Sequence, residues 1–370
     1  MNGLLRFMAP SENLKSIVIV GGGTAGWLTA GIIAAEHNAN GSESDGLIDI
    51  KVTLIESPDI STIGVGEGTW PSMRSTLQKM GVSETDLIRD CDASFKQGTL
   101  FKSWKTGGND AYTHPFTPPH SYASTNLAPQ WQKLSSEVSF AEAVSSQNAL
   151  MFKGLAPKQI STPEYAFHTN YGYHLDAGKF AELLRKHCVE KLGVTHLKAN
   201  VVSVESTADG DIASLKTDSH GDISGDLFVD CSGSRALLLG EHFGVPFCSK
   251  DQFLFNDTAL ASQIPYVTDG DPIASSTLST AQTAGWIWDI GLPTRRGIGH
   301  VYSSGHTTED RAAQELLAYI TATVSPEAAA SASIRKVPFS PGHRAKFWHK
   351  NCVAVGMSAG FIDPLEASAL

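Results

Sequence analysis

The sequence predicts an α/β fold built on a parallel β-sheet, and three observations lead to that prediction. Residues 16–20 (SIVIV) form a short β-branched run of the kind that is buried on both faces of a parallel sheet. A glycine-rich turn follows, and residues 24–36 then place apolar side chains at helical spacing. Residues 48–56 (IDIKVTLIE) have the pattern of the next strand. Together these segments predict a right-handed βαβ unit.

Composition and charge exclude several classes of protein. The 370 residues are 41% apolar, 18% charged and 8% aromatic, which is typical of a globular protein and not of a disordered, collagen-like or coiled-coil chain. The length allows one large domain or two smaller ones, and we expect a single domain over residues 1–370. A formal net charge of −10 disfavours a broad interaction with nucleic acid or with an anionic membrane.

No segment indicates targeting, membrane insertion or metal binding. The opening MNGLLRFMAPSENLK contains only a brief apolar stretch, and no later run reaches the roughly 18 apolar residues of a spanning helix. The five cysteines lack a C-x-x-C pair, which is typical of a reduced protein without disulfides or a zinc knuckle. The histidines lack metal-ligand spacing with carboxylates. We therefore expect a soluble, cytoplasmic protein that binds no metal.

The remaining elements follow from local patterns. Four prolines between Thr106 and Gln130 predict an irregular segment that lies over the surface or lines a pocket. The other predictions are a helix at 176–192 stopped by Gly193, an antiparallel meander at 194–223 with turns at Asp209-Gly210 and His220-Gly221, strands at 226–233 and 351–356, and a helix at 307–324 capped by Thr307 or Thr308.

The first turn has the spacing of a dinucleotide-binding site. Gly21, Gly23 and Gly26 form a G-x-G-x-x-G pattern between the first strand and the first helix. In that pattern the glycines permit a tight turn, a close approach to a pyrophosphate and close helix–strand packing. Glu56 ends the second strand, where a carboxylate accepts hydrogen bonds from an adenosine ribose. A glycine turn without a ligand is the alternative, and the pattern alone does not choose between FAD and NAD.

Further segments resemble the flavin-dependent halogenases of the tryptophan-halogenase type. They are residues 21–27 (GGGTAGW), 63–69 (IGVGEGT), 170–176 (NYGYHLD), 226–233 (DLFVDCSG), 285–290 (GWIWDI) and 361–366 (FIDPLE). The resemblance runs from about Ile17 to the last residue, and its most specific part is the W-x-W-x-I motif, although Gly291 stands where the family has proline. It implies an FAD-binding, Rossmann-like fold of the flavin monooxygenase type, with an irregular and helical substrate layer to which residues 97–170 contribute.

The resemblance also implies an activity. Such enzymes halogenate an electron-rich aromatic, here an indole or a tryptophan-like molecule, with FADH2, oxygen and chloride or bromide. A separate flavin reductase supplies the reduced FAD, and the hypohalous acid that forms moves internally to a lysine. Two alternatives stay open: a flavin monooxygenase that hydroxylates its substrate, and a truncated, non-catalytic flavin-binding protein.

The resemblance assigns roles to particular residues. Lys96 captures the hypohalous acid, and Glu366 orients the electrophile or removes the ring proton. The halide lies at the backbone N–H groups of Ser368 and Ala369, and His114 and Phe116 sandwich the substrate ring. The cofactor residues are Gly21, Gly23, Thr24, Ala25, Gly26, Glu56, the strap-loop residues Ile63, Gly64, Val65 and Gly66, together with Trp286, Trp288 and Gly356.

Structural roles are the alternative for several of these residues. A lysine among apolar neighbours can extend its ammonium to the surface, two tryptophans near a strand can be core, and a glutamate at a helix start can be a cap. Family members continue past the P-L-E segment into a long helical region, whereas this sequence ends at Leu370. We expect that region to be absent after residue 370, with a truncated portion, a second chain or a degraded relative as explanations.

Overall fold

The computed structural model describes residues 14–38, 50–60, 67–362 and 364–365. Its helices are α1 (Thr24–Asn38), α2 (Ser72–Lys79), α3 (Glu84–Asp90), α4 (Ala128–Gln132), α5 (Phe140–Val144), α6 (Gln147–Phe152), α7 (Ala177–Glu190), α8 (Glu309–Thr323) and α9 (Pro326–Ala330), with short helical turns at Gly233–Arg235, Leu237–His242 and Gly356–Ser358.

The strands in the first two thirds of the chain are β1 (Ser16–Val20), β2 (Lys51–Glu56), β3 (Glu67–Gly68), β4 (Ser94–Lys96), β5 (Gly98–Lys102), β6 (Ala111–Pro115), β7 (Gly172–Leu175), β8 (Thr195–Lys198), β9 (Val201–Ser206), β10 (Ile212–Thr217), β11 (Gly221–Ser224), β12 (Leu227–Asp230) and β13 (Phe247–Ser249). Those in the last third are β14 (Thr258–Pro265), β15 (Thr277–Gln282), β16 (Gly285–Gly291), β17 (Arg295–Tyr302), β18 (Arg335–Pro338), β19 (Gly342–Arg344), β20 (Trp348–His349), β21 (Cys352–Ala354) and β22 (Gly360–Phe361).

The described residues divide into two compact units. The first unit comprises the described parts of Met1–Thr62, Leu184–Phe247 and Arg344–Gly360. The second comprises the described parts of Ile63–Leu183, Cys248–His343 and Phe361–Leu370. Each unit has its own central sheet.

The first unit contains the predicted βαβ unit. Its six-stranded sheet has the order β20-β21-β12-β1-β2-β8, and β1 pairs in parallel with both β2 and β12. The β-branched run of β1 is buried on both faces, as the sequence predicts. The register pairs Val20 with Ile55 and with Asp230, so the carboxyl ends of these three parallel strands meet at one edge of the sheet.

The prediction that the antiparallel meander begins at residue 194 is wrong for its first strand. Strand β8 pairs in parallel with β2 and belongs to the six-stranded sheet, whereas β9, β10 and β11 form the antiparallel meander. The two glycine turns hold, with Gly210 and Gly221 both at positive φ. Short half-buried strands have the same local pattern in either setting, so the pattern alone cannot assign the partner.

The second unit is built on a seven-stranded sheet with the order β18-β14-β17-β16-β15-β5-β6. Helix α8 covers one face, where Ile287 packs with Leu316 and Ile320. Trp286 and Trp288 lie in a separate cluster on the opposite face, because successive side chains of a strand alternate between faces. The cap of α8 is Thr308, whose hydroxyl accepts a hydrogen bond from the Arg311 amide, as predicted.

The proline-rich segment is more regular than predicted. Residues Ala111–Pro115 form β6, which pairs antiparallel with β5 at the edge of the seven-stranded sheet, and α4 follows at Ala128–Gln132. Proline is tolerated in an edge strand because no further strand needs its missing N–H. The edge strand therefore accommodates Pro115 and places the two residues of the predicted substrate pair, His114 and Phe116, beside it.

A small three-stranded sheet in the second unit carries the predicted catalytic lysine. Strand β7 lies between β3 and β4, and both neighbours run antiparallel to it. The register places Lys96 opposite Gly172 and Ser94 opposite His174. All four residues of β7 are buried, so the strand presents an interior surface on both faces.

Candidate active site

The glycine turn of the first unit has the geometry of a dinucleotide cradle. Gly21 lies at φ +122°, and its N–H donates to the Ile55 carbonyl at 2.9 Å. A Cβ at Gly21 would stand 2.1 Å from the Cys231 carbonyl oxygen, and one at Gly26 would stand 1.9 Å from the Gly21 oxygen. Both positions therefore require glycine, as the sequence pattern predicts.

The residues of the cradle fit an FAD. Apart from Gly23 itself and its chain neighbours, no described residue has an atom within 4 Å of the point where a Cβ of Gly23 would stand, so a phosphate can approach the backbone there. Helix α1 begins at Thr24, and the Trp27 N–H makes its bond to the Gly23 carbonyl at 3.1 Å. The backbone N–H groups of the helical residues before Trp27 make no intrahelical bond, because they belong to the first turn. They can therefore donate to an anion at the helix N-terminus. Gly356 lies beside this turn, since its Cβ would stand 2.8 Å from that of Ala25.

Glu56 ends β2 at the position expected for a ribose-binding carboxylate. Its Oε2 lies 2.7 Å from Nε2 of His196. Burial lowers the pKa of His196 more than the neighbouring carboxylate raises it, so the neutral ring donates its Nε2–H and orients Glu56. Gly22 leaves the room for this carboxylate, because a Cβ there would stand 2.3 Å from Glu56 Cγ. The sequence analysis missed both His196 and Gly22.

The tryptophan pair lies on an enclosed face of the second unit. Trp286 and Trp288 are both buried on the same face of β16, with ring centroids 6.3 Å apart. Trp288 lies against Gly299 of the neighbouring strand, where a Cβ would stand 2.2 Å from the indole. Trp104 extends the cluster at 6.3 Å from Trp286, and a cavity of about 370 Å³ opens beside these two rings. A contact of this pair with flavin stays a prediction.

The predicted catalytic lysine is an interior residue. The Lys96 side chain is only 1% exposed, and it lies on β4 opposite Gly172. Its Nζ stands 5.4 Å from the centroid of the Phe116 ring, which is the distance of a cation–π contact. The ammonium therefore faces an aromatic surface and not bulk water.

Three aromatic residues line the site next to this ammonium. The Trp70 and Phe116 ring centroids are 5.5 Å apart with an interplanar angle of 32°, and Trp70 meets His114 edge-on at 6.4 Å. Phe116 is buried whereas His114 is exposed, so the wall runs from the interior to the surface. The structure places Lys96 against Phe116, with His114 reached through Trp70, and the catalytic and substrate roles of these residues stay predictions. Trp70 was missed, although a tryptophan directly after the strap-loop motif was a visible signal.

Buried amides hold the aromatic wall in place. The Phe116 N–H donates to the Gln97 carbonyl at 2.9 Å, and the Phe116 carbonyl accepts from Asn170 Nδ2 at 3.0 Å. The next residue, Thr117, donates its N–H to Gln147 Oε1 at 2.7 Å. Because Gln97 follows Lys96 directly in the chain, these bonds set the position of the Phe116 ring relative to β4. Hydrogen-bonded networks of this kind make a site rigid.

Several predicted residues lie outside the described part of the chain. They are Ile63, Gly64, Val65 and Gly66 of the strap loop, Glu366, and the halide residues Ser368 and Ala369. Within the described ranges, no three His, Cys, Asp or Glu side chains are grouped as metal ligands. Over the same ranges no helix has the length and apolar character needed to cross a membrane. All five cysteines are free, and all but Cys248 are buried.

The glycine cradle of the first unit fits a dinucleotide-binding enzyme, and the second unit contains a buried amine beside aromatic rings. The family model for tryptophan halogenase matches residues 16–370. The chain is 33% identical to tryptophan 7-halogenase RebH from Lentzea aerocolonigenes and to tryptophan 6-halogenase ThaL from Streptomyces albogriseolus, over 97% of this chain and 68% of each relative. A solved tryptophan halogenase from Shewanella frigidimarina matches with TM-score 0.90 and 54% identity, over 96% of this chain and 68% of that one.

The chain belongs to the tryptophan halogenase family. It is accordingly a flavin-dependent halogenating enzyme that uses FADH2 and a halide to halogenate an aromatic substrate. The expected fold is confirmed by the match to these solved structures.

Proposed function

We propose that this chain halogenates an electron-rich aromatic of the indole class, tryptophan or a related molecule, and that Lys96 delivers the halogen. The observation that supports this proposal is the buried Lys96 amine facing the ring of Phe116, at 5.4 Å from its centroid. RebH and ThaL, whose names specify tryptophan, support the indole class. The aromatic wall offers the stacking and edge contacts that an indole makes.

The chain's own residues have distinct tasks in this reaction. Gly21, Gly23 and Glu56 would hold the reduced FAD, which, when bound, would supply the electrons that bring oxygen to the oxidation level at which halide is converted to hypohalous acid. The interior Lys96 amine hydrogen-bonds the hypohalous acid and keeps it away from water. Phe116 and His114 hold the ring, so that the aromatic carbon attacks the halogen and hydroxide or water leaves. The ring carbon then loses its proton to a base.

Residues outside the described part complete the proposal. Glu366 is the candidate for the base, and the N–H groups of Ser368 and Ala369 are the candidates for the halide site. Ile63, Gly64, Val65 and Gly66 are the candidates for a strap over the cofactor. Residues 97–170, which the structure does describe, are the candidates for the substrate-side layer. A separate flavin reductase is the proposed source of FADH2, and the cytoplasm is the proposed compartment because NADH is available to that reductase there.

The proposal is tested by incubating the chain with FAD, a flavin reductase, NADH, bromide and either indole or tryptophan. Mass spectrometry should detect the bromine isotope doublet in the product. Lys96→Ala should abolish the brominated product while reduced flavin is still oxidised by oxygen. Lys102→Ala, which removes an exposed lysine of β5, is the matched control and should brominate normally. A product that gains oxygen and never halogen would instead support a hydroxylase.

A further inference from the structure

The three-stranded sheet β3-β7-β4, which carries Lys96 and is called the lysine sheet below, contains a buried histidine with one unpaired ring nitrogen. His174 of β7 is 0% exposed, and its Nε2 lies 2.8 Å from the Thr277 hydroxyl. Its Nδ1 has no hydrogen-bond partner among the residues that the structure describes. A polar atom that is buried and unpaired is costly, and native proteins keep few of them. The atom therefore needs an explanation.

The strand register places this histidine next to the lysine. Ser94 pairs with His174 and Lys96 pairs with Gly172, so Lys96 and His174 are diagonal neighbours on the same face of the sheet. Gly172 has no side chain, which leaves His174 as the side chain that β7 presents on this face. Diagonal neighbours in an antiparallel pair are within reach of each other when one side chain is long, as lysine is.

The charge state of the ring follows from the same neighbours. Burial, and then the positive charge of Lys96, lower the pKa of His174 well below its usual value, so the ring is neutral. A neutral ring has one donor nitrogen and one acceptor nitrogen. Donation from Nε2–H to Thr277 leaves the Nδ1 lone pair beside the lysine, which is the electrostatically favoured arrangement. The opposite tautomer would turn an N–H toward a cation.

We propose that His174 is a positioning residue for the Lys96 amine, with Nδ1 accepting a hydrogen bond from one buried water that also contacts that amine. Thr277 fixes the ring, and the ring in turn directs the amine toward Phe116. This inference rests on the proposed function, because it concerns the amine that receives the oxidant. Neither His174 nor Thr277 needs to contact substrate or cofactor for this role.

Two variants with an amide side chain distinguish the role of Nδ1 of His174 from that of Nε2. In His174→Asn the amide stands near the position of Nδ1, and in His174→Gln it stands near that of Nε2. We expect His174→Gln to lose about tenfold or more of the halogenated product per flavin oxidised, since a water-mediated hydrogen bond to a charged group is removed. His174→Asn should recover most of this loss. The rate of flavin oxidation and the KM for the aromatic substrate should stay unchanged in both variants.

A second measurement does not depend on activity. Nuclear magnetic resonance of the chain with ¹⁵N-labelled histidine, without FAD, reports the protonation of each ring nitrogen. We expect Nδ1 of His174 to be unprotonated and its resonance to move in Lys96→Met, whereas Thr277→Val should move the Nε2 resonance. A protonated Nδ1 in the unmodified chain would overturn the inference, and this arm decides even where a variant fails to fold.

The outcomes also separate this inference from the proposed function. An unmodified chain that never halogenates, or a Lys96→Ala variant that halogenates normally, would defeat the proposed function. A halogenating chain whose His174→Gln variant has the same product yield per flavin would defeat only the positioning role. Equal losses in the asparagine and glutamine variants would indicate a packing role for the ring and would likewise overturn the inference.

Discussion

Trp70 gives the aromatic wall a third ring that neither composition nor spacing identified. It contacts Phe116 at a 32° tilt and meets His114 edge-on, so it touches both members of the predicted substrate pair. It lies between Thr69, which is buried, and Pro71, which precedes α2. Trp70 therefore belongs to the surface that we propose for a flat substrate.

Removing this ring should weaken substrate binding more than turnover. We expect Trp70→Ala to raise the KM for the aromatic substrate roughly three- to tenfold, because one aromatic contact contributes about 0.5–1.5 kcal/mol. Trp70→Phe should retain most of the binding. Steady-state kinetics with chromatographic product detection would measure both, with Trp348→Ala, an exposed tryptophan of the first unit, as the control. An unchanged KM would show that Trp70 does not border the substrate.

At the scale of elements, a buried carboxylate ties α3 to the lysine sheet. Glu84 accepts from Tyr173 of β7 at 2.7 Å, from Lys158 Nζ at 2.8 Å and from the Tyr165 amide at 2.6 Å, and Tyr171 donates a further hydrogen bond. Burial alone would raise the pKa of Glu84, but these donors outweigh it and the pKa lies below 4.5. One side chain thus joins a helix, a loop and the strand that carries His174.

This tie should make the stability of the fold acid-sensitive. A carboxyl whose pKa is lower in the folded state stabilises that state above its unfolded pKa of about 4.5 and loses the contribution as pH falls further. We expect Glu84→Gln to lower the free energy of unfolding by about 3 kcal/mol at neutral pH, since a buried ion pair is broken. The difference from the unmodified chain should shrink below pH 4.5.

Urea unfolding at several pH values would measure this effect. The matched control is Glu137→Gln, because Glu137 is exposed and no described carboxylate network depends on it. An equal loss of stability at all pH values would show that the variant disturbs packing and not an ionised carboxylate.

The elements also show what local pattern can and cannot predict. Strand β1, α1, β2 and the cap of α8 follow directly from β-branched runs, helical spacing and a threonine, because those signals are local. The partner of β8 and the pairing of β6 depend on strands far away in the sequence, and no local pattern encodes them. For the same reason the contact of His196 with Glu56 emerged only once folding had brought distant segments together, whereas Trp70 had a local signal in its place directly after the strap-loop motif.

At the scale of the whole molecule, two units carry different parts of the chemistry. The first holds the glycine cradle and Glu56, and the second holds Lys96 with its aromatic wall. The Glu56–His196 contact lies within the first unit and the Lys96–Phe116 contact within the second, so we expect a Glu56 variant to change FAD binding and a Lys96 variant to change the halogenated product.

This separation predicts the effect of changing Glu56. We expect Glu56→Ala to raise the Kd for FAD about tenfold, because the variant loses hydrogen bonds from a carboxylate to the cofactor. FAD fluorescence titration would measure it, with Glu205→Ala, an exposed glutamate of the same unit, as the control. Lys96→Ala should bind FAD as the unmodified chain does. Normal FAD binding by Glu56→Ala would argue against the ribose role.

The burial of the cysteines bears on how the enzyme survives its own chemistry. Hypohalous acids attack thiolates before most other protein groups, and the thiolate is the reactive form of cysteine. Burial raises the pKa of Cys91, Cys188 and Cys231 to about 12, and that of Cys352 further, so these sulfurs stay protonated and enclosed. We therefore expect oxidation by hypohalous acid to begin at the partly exposed Cys248 and to reach the buried cysteines later.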